Sequence, residues 1–333
     1  MTENAIKGVY QIINQSFFSY VYIKTGGGDR DEVLKSQAIW CNDKLIDTRS
    51  LAAPGTIEHE AAVYEELGES PYITKTFGLV TLDPVNNLRA LRLERSPIGS
   101  VRDYIAKRYP HKPPATIERL RLALDFAKGM AHVHSKGVVW GDASTQNALL
   151  FGKNYYSDIS TLRLKLCDFG GALLEDGDVA PPTKAGCAFE TYETRYTLPA
   201  KARYHHDKSR AWNRDYEVPW VNREIYALGM AVYEICEWRV PHGWDEFDFL
   251  GEVEVARRCK EDVSPEFERC DSFLRGIIRK CWSEGYASVM EVVTDLTEAY
   301  GDAVAYGGLG DDEPEMVEAG NTLLLDHHGN EAG

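Results

Sequence analysis

Asp142 and Asn147 stand five residues apart in Val138–Leu150 (VVWGDASTQNALL), and Asp168-Phe169-Gly170 closes the run Leu162–Cys167. A carboxylate that can handle a hydroxyl proton, with an Asn and a second Asp that can hold a divalent ion, is the equipment for moving a phosphoryl group. In such chemistry the protein contributes position and charge more than covalent bonds.

The elements around these residues follow from periodicity. Pro113-Pro114 precedes a stretch with Leu120, Leu124, Ala127 and Ala131 on one helical face, stopped by Gly137 just before Asp142. Leu162, Leu164 and Leu166 alternate with Arg163, Lys165 and Cys167, a half-buried strand that delivers Asp168. Ile225, Leu228, Val232 and Ile235 predict an apolar helix that ends before Pro241. The first ninety residues read as short strands around one helix. Tyr20–Ile23, Val33-Leu34, Ile73–Leu82 and Leu88–Leu93 are strand-like, Gly26–Gly28 marks a turn, and Ala61, Tyr64 and Leu67 set a helix over Ile57–Leu67, stopped by Gly68. Strands first and helices later give an α+β chain of two lobes.

Composition narrows the function class. The chain has 333 residues, 44% of them hydrophobic, with 37 Lys and Arg against 52 Asp and Glu, a net charge of −15. An acidic surface argues against binding a phosphate backbone, which rests on clustered Lys and Arg, so no nucleic-acid partner is expected. From Cys281 onward there are twelve acids and no Lys or Arg, so the excess sits at the C-terminal end. Residues 301–333 are acidic and Gly-rich, cannot bury enough surface to offset ordering, and are expected to be a disordered tail. No apolar run approaches the ~18 residues of a membrane span, and the start lacks a signal-peptide core, so no membrane partner is expected. The seven cysteines are widely spaced without Cys-x-x-Cys, which predicts reduced thiols, no zinc site, and a cytoplasmic or nuclear location.

Helix, Asp-x4-Asn, apolar pair, strand, Asp-Phe-Gly, a long segment and a buried helix, in that order, resemble the C-terminal lobe of a protein kinase. Over about residues 9 to 298 the chain is similar to that family. Gly141-Asp142, Tyr192–Tyr196 and Glu224–Gly229 look most like divergent kinase-like proteins of fungi. The resemblance implies a two-lobed protein-kinase-like fold within residues 1–300: an N-lobe over about 9–93, a hinge over about 94–99 and a C-lobe over about 100–298. It implies ATP and Mg2+ as cofactors and a protein substrate, whose acceptor would be a Ser or Thr hydroxyl. Lys35 lies fourteen residues after Val21, as the family's strand lysine follows the valine that closes its glycine-rich loop. Glu60 lies seven residues before Leu67, as the family's helix glutamate does. The resemblance therefore makes Asp142, Lys35 and Glu60 catalytic, sets Lys35, Val21, Glu94, Ser96, Asn147 and Asp168 around the nucleotide, and gives the metal to Asn147 and Asp168. At Glu94 and Ser96 the expected contacts are through the backbone. Lys44 is the competing lysine, with no strand pattern before it.

Several positions depart from the family. Aligned on Val21, the three loop glycines are Asn14, Ser16 and Ser19, which let a backbone approach phosphates less freely. Trp140-Gly141 replaces His-Arg before Asp142. Ser144 and Gln146 stand where Ser/Thr kinases carry a lysine and tyrosine kinases an arginine. Thr197–Ala200 is the nearest match to Ala-Pro-Glu, and the arginine that pairs with its glutamate is also gone, Ala287 and Ser288 standing there. Three functions remain open on these residues: an active protein kinase, a nucleotide-binding or scaffolding pseudokinase, and a small-molecule phosphotransferase of the aminoglycoside-kinase type.

Overall fold

The computed structural model describes residues 9–15, 19–25, 31–41, 44–48, 56–83, 88–108, 113–152, 161–174, 194–196, 220–243, 249–261 and 264–307. The N-terminal lobe is built on a five-stranded sheet of β1 (Val9–Gln15), β2 (Tyr20–Thr25), β3 (Glu32–Ser36), β6 (Thr76–Asp83) and β7 (Leu88–Glu94), in the antiparallel order β1-β2-β3-β7-β6. The β2–β3 ladder sets Val21 opposite Lys35, and the β3–β7 ladder sets Lys35 opposite Leu91. Strand alternation then divides β3. Leu34 joins Tyr20, Tyr22, Leu82 and Ala90 in a small outer core, while Val33 lies in the main core. Lys35, two residues on, shares the face of Val33 and points where an apolar residue would ordinarily go.

Between β3 and the first helix the structure adds a hairpin absent from the sequence reading, β4 (Ala38–Cys41) with β5 (Lys44–Thr48), in a separate two-stranded sheet. Lys44 opens β5 opposite Cys41, so it begins a strand outside the five-stranded sheet and is no substitute for Lys35. Helix α1 (Thr56–Leu67) follows, one residue longer than expected, and buries Ile57, Glu60, Ala61, Val63, Tyr64 and Leu67. It stops at Gly68, whose φ of 65° closes the helix through an N–H bond to the Tyr64 carbonyl at 3.0 Å.

The C-terminal lobe begins at β8 (Gly99–Ser100), which already pairs with a strand of that lobe, and continues into the short helix α2 (Val101–Asp103) and a π-turn over Tyr104–Arg108. Helix α3 (Thr116–Ser135) is buried on more than the one expected face: Leu122, Ala123, Phe126, Met130 and Val133 are fully covered as well. Its Gly129 lets strand β11 approach, since a Cβ there would meet Leu166 Cδ1 at 2.7 Å. Strands β9 (Val138–Val139), β10 (Ala148–Phe151), β11 (Arg163–Leu166) and β12 (Leu173–Leu174) make two small sheets, β11-β10-β8 and β12-β9. Helix α4 (Trp220–Glu237) is buried almost all round and packs on α3 and on α6 (Ser272–Trp282); α5 (Phe249–Lys260) precedes α6, and α7 (Val289–Gly307) packs on α3 and α6. One contiguous core, from Val33 to Ala299, runs through both lobes. Helix α7 corrects the tail boundary. Residues 301–307 are helical because Tyr300 and Ala303 still lean on that core; residues 308–333, with the Leu323–Leu325 triplet, lie outside the described residues. Among the described residues no helix is long and apolar enough to cross a membrane.

Candidate functional site

Lys35 on β3, Glu60 on α1 and Asp168 at the end of β11 come from three elements and meet at the junction of the lobes. Lys35 Nζ lies 2.7 Å from Glu60 Oε2 and 2.7 Å from Asp168 Oδ1. The Glu60 side chain is 1% exposed and that of Asp168 38%, so the cluster is closed on the helix side and open on the other. Burial by itself would lower the Lys35 pKa, but the carboxylates of Asp168 and Glu60 outweigh it and push the ammonium up. Glu60 is also pushed up: burial disfavours its charge, Lys35 restores part of it, and Asp168 adds a like charge. One ammonium thus serves two carboxylates, and the site is short of positive charge. That shortage fits a hard divalent cation, as does the donor set of a carboxylate (Asp168) and an amide oxygen (Asn147), which would leave the remaining positions to water and phosphate oxygens.

The backbone around Asp168 is held in an uncommon state, with φ at 59°, in the left-handed region that a side chain with Cβ seldom adopts. Three bonds keep it there. Trp140 Nε1 donates to the Asp168 carbonyl at 2.9 Å, Phe169 N to Glu60 Oε1 at 3.2 Å, and Cys167 N to the Asn147 carbonyl at 2.9 Å. The Phe169 ring completes the support. It meets Tyr64 of α1 edge-on at 5.2 Å and Trp140 at 5.5 Å, and Trp140 in turn meets Phe126 of α3 at 6.0 Å. Trp140, which departs from the family's histidine, is therefore the buried link between Asp168 and α3.

Asp142 is fixed by its neighbour in the motif. Asn147 Nδ2 donates to both the backbone carbonyl and Oδ2 of Asp142, each at 2.9 Å, which leaves Asn147 Oδ1 as the atom for a cation. The loop carrying them is tied to α4 by carboxylates that the sequence reading gave no role. Glu224 accepts from Gly141 N at 2.8 Å and Trp140 N at 3.2 Å, and lies 2.7 Å from His134 Nε2. Glu234 accepts from Thr145 Oγ1 at 2.7 Å, Tyr196 Oη at 2.7 Å and Arg102 Nε at 2.6 Å, all buried. The signal for both was an acid placed inside an otherwise apolar helix, which requires a partner but does not say which.

The other expected positions divide. Val21 is partly buried opposite Lys35. The side chains at Glu94 and Ser96 are occupied by protein: Lys165 Nζ lies 2.6 Å from Glu94 Oε2, and Ser96 Oγ donates to the Leu150 carbonyl at 2.6 Å while accepting from Gly99 N at 2.9 Å. What they offer a ligand is backbone. Ser144 is buried, 2% exposed, and carries no charge toward the site. Arg195 is buried too, bonded to the carbonyls of Pro241 and Gly243 at 3.1 Å each. Positions 16–18, Gly26–Gly28 and Thr197–Ala200 lie outside the described residues.

Residues 41–185 match the family model described as protein tyrosine and serine/threonine kinase. The chain is 28% identical over 190 residues to the serine/threonine/tyrosine-protein kinase HT1 of Arabidopsis thaliana, covering 56% of this chain and 40% of that one. It is 29% identical over 144 residues to mitogen-activated protein kinase kinase kinase 20 of the same plant, covering 42% and 40%. Against the human tyrosine-protein kinase FRK identity is 21% over 267 residues, 78% of this chain and 46% of the relative. The chain thus spans less than half the length of each of these relatives.

Proposed function

We propose, for a chain that is protein-kinase-like in family and fold, that it is a protein kinase using ATP and Mg2+ and acting on a Ser or Thr hydroxyl. The observation that carries this is the meeting of Lys35 with both Glu60 and Asp168 at 2.7 Å, beside a carboxylate, Asp142, that is held ready by Asn147 at 2.9 Å. Lys35 would place its ammonium on the phosphates of ATP, with Glu60 fixing its direction. Asp168 and Asn147 would hold the Mg2+, which when bound neutralises charge on the phosphates. Asp142 would accept the hydrogen bond of the acceptor hydroxyl and take its proton as the phosphoryl group leaves ATP.

Two features support a second reading, a nucleotide-binding pseudokinase. Ser144 and Gln146 supply no cation for the moving phosphoryl group, and Ser144 is buried. Incubation of the full chain with Mg-ATP and a mixed peptide pool, followed by phosphoamino-acid analysis, separates the readings. Phosphoserine or phosphothreonine supports the kinase; phosphotyrosine moves the specificity; a Mg-nucleotide melting shift without turnover supports the pseudokinase. Neither shift nor turnover overturns both.

A further inference from the structure

Helix α1 grips the segment after Asp168 with one face. Thr56, His59, Glu60 and Tyr64 stand at i, i+3, i+4 and i+8, on one side of a helix. Tyr64 and Glu60 hold Phe169, and a Cβ on Gly170 would lie 3.5 Å from Glu60 Oε2 and 3.8 Å from Thr56 Cγ2. His59 reaches furthest along the segment, its Nε2 lying 2.8 Å from the carbonyl of Ala172. A carbonyl only accepts, so Nε2 carries the ring proton and Nδ1 is left as an acceptor. That Nδ1 is buried and has no hydrogen-bond partner among the described residues. An imidazole here leaves an acceptor unmet, a cost that leucine would avoid. What the imidazole adds is the bond to Ala172.

Ala172 is a junction. Its N–H donates to the Phe169 carbonyl at 3.1 Å, so it closes the turn Phe169–Ala172 that directly follows Asp168. The next residue, Leu173, pairs with Val139 in the β12–β9 ribbon, three residues before Asp142. We infer that His59 is a positioning residue: through Ala172 it fixes α1 to the turn that follows Asp168 and to the ribbon that leads into Asp142, so that the metal-ligating and proton-accepting carboxylates are set by the same helix that carries Glu60. The consequence for turnover rests on the phosphoryl-transfer reading; the mechanical link does not.

Two variants of the full chain test it. His59→Leu keeps volume and removes the donor; His59→Gln puts an amide N–H near the place of Nε2. Hydrogen–deuterium exchange of peptides covering 168–174 is expected to rise about tenfold in His59→Leu and to stay at the wild-type level in His59→Gln, as loss of one local bond implies. Peptides within α3 should not change in either, which separates a local role from general loosening. With MgADP as probe, the apparent dissociation constant should rise about fivefold in His59→Leu alone, the size of a modest coupling between sites. If His59→Leu does not fold, His59→Asn, whose shorter amide stops short of Ala172, takes its place beside His59→Gln. Wild-type exchange in the leucine variant, or equal loosening in leucine and glutamine variants, overturns the inference. Wild-type protein that binds no MgADP would overturn the kinase reading and leave the exchange result to decide this one.

Discussion

Charge is buried in two different ways in this molecule. Where the lobes meet, Lys35, Glu60 and Asp168 are bound to one another, one ammonium between two carboxylates, and Asp168 keeps 38% of its side chain in solvent. In α4, Glu224, Glu234 and Glu237 are each 0% exposed and are bound to groups that cannot leave: backbone amides, hydroxyls and a buried arginine. Glu237 shows the second mode in its purest form. It accepts from the amides of Glu268, Arg269 and Cys270, each at 2.9 Å, and although burial would raise its carboxyl, those three bonds hold it below the ordinary value. The cleft cluster is under-neutralised, which suits it to the exchange of partners with phosphates and a cation that the proposed function requires. The α4 carboxylates are saturated and fix the loops on which the cleft residues ride. The proposed phosphoryl transfer would need both, since charge that moves is useful only against charge that stays.

The largest expected effect comes from breaking the saturated mode. Glu234→Ala leaves the Arg102 guanidinium, 1% exposed, without its carboxylate and should cost about 3–5 kcal/mol of stability in urea unfolding. The double variant Arg102→Met with Glu234→Leu should recover the part of that loss due to the stranded charge, while the Thr145 and Tyr196 hydroxyls still lose their acceptor. Equal loss in single and double variants would mean that packing and the two hydroxyl bonds, and not the stranded charge, set the penalty. Breaking the exchangeable mode should do the reverse. Asp142→Asn is expected to lower turnover by about 10³-fold, within the range for a lost general base, while the melting temperature and the MgADP shift stay near wild type. Asp168→Ala should remove the Mg2+-dependent part of the nucleotide melting shift, since it deletes a carboxylate ligand. It should leave the metal-free shift in place.

The exchangeable half was the legible half. Asp142, Asn147 and Asp168 stand at fixed short spacings in recognisable strand and loop patterns, and Lys35 and Glu60 follow from distances along the chain to Val21 and Leu67. Short-range spacing survives in a sequence because it is written in one stretch. The saturated half joins residues 31 to 132 positions apart, as in Glu237 with Glu268 or Arg102 with Glu234, and no motif spans them. An acid inside an apolar helix announces a partner without naming it. The β4–β5 hairpin was missed for another reason: Ala38–Cys41 and Lys44–Thr48 are too short for alternation to register, although Asn42-Asp43 between two apolar runs is a turn signal. In α3 the expected stripe was present but narrow, because β11, α4 and α7 cover the helix from several sides and its remaining apolar residues carry no single period.

The smallest effect expected is a titration at the edge of the saturated region. His242 follows α4 at a φ of 61°, between Pro241 and Gly243, the two carbonyls that Arg195 holds. Burial, with the Arg258 and Arg195 charges adding to it, pushes the His242 pKa down to about 4 from an ordinary 6.5. The folded protein therefore binds fewer protons than the unfolded chain between those values, and this contribution is complete above pH 6.5 and lost as pH falls through 4. Discounted for a ring that is partly in solvent, the loss between pH 7.5 and pH 5 should be about 1 kcal/mol. Other groups titrate in the same window, so the measurable quantity is a difference. Urea midpoints of wild type and His242→Gln should be compared at both pH values, and the wild type should fall further by that amount. Arg195→Gln, which removes one of the two cations facing the ring, should shrink the difference. An identical pH slope in wild type and His242→Gln would place His242 outside the set of groups whose neutrality the fold requires, and would leave Arg195 as a purely hydrogen-bonded tie.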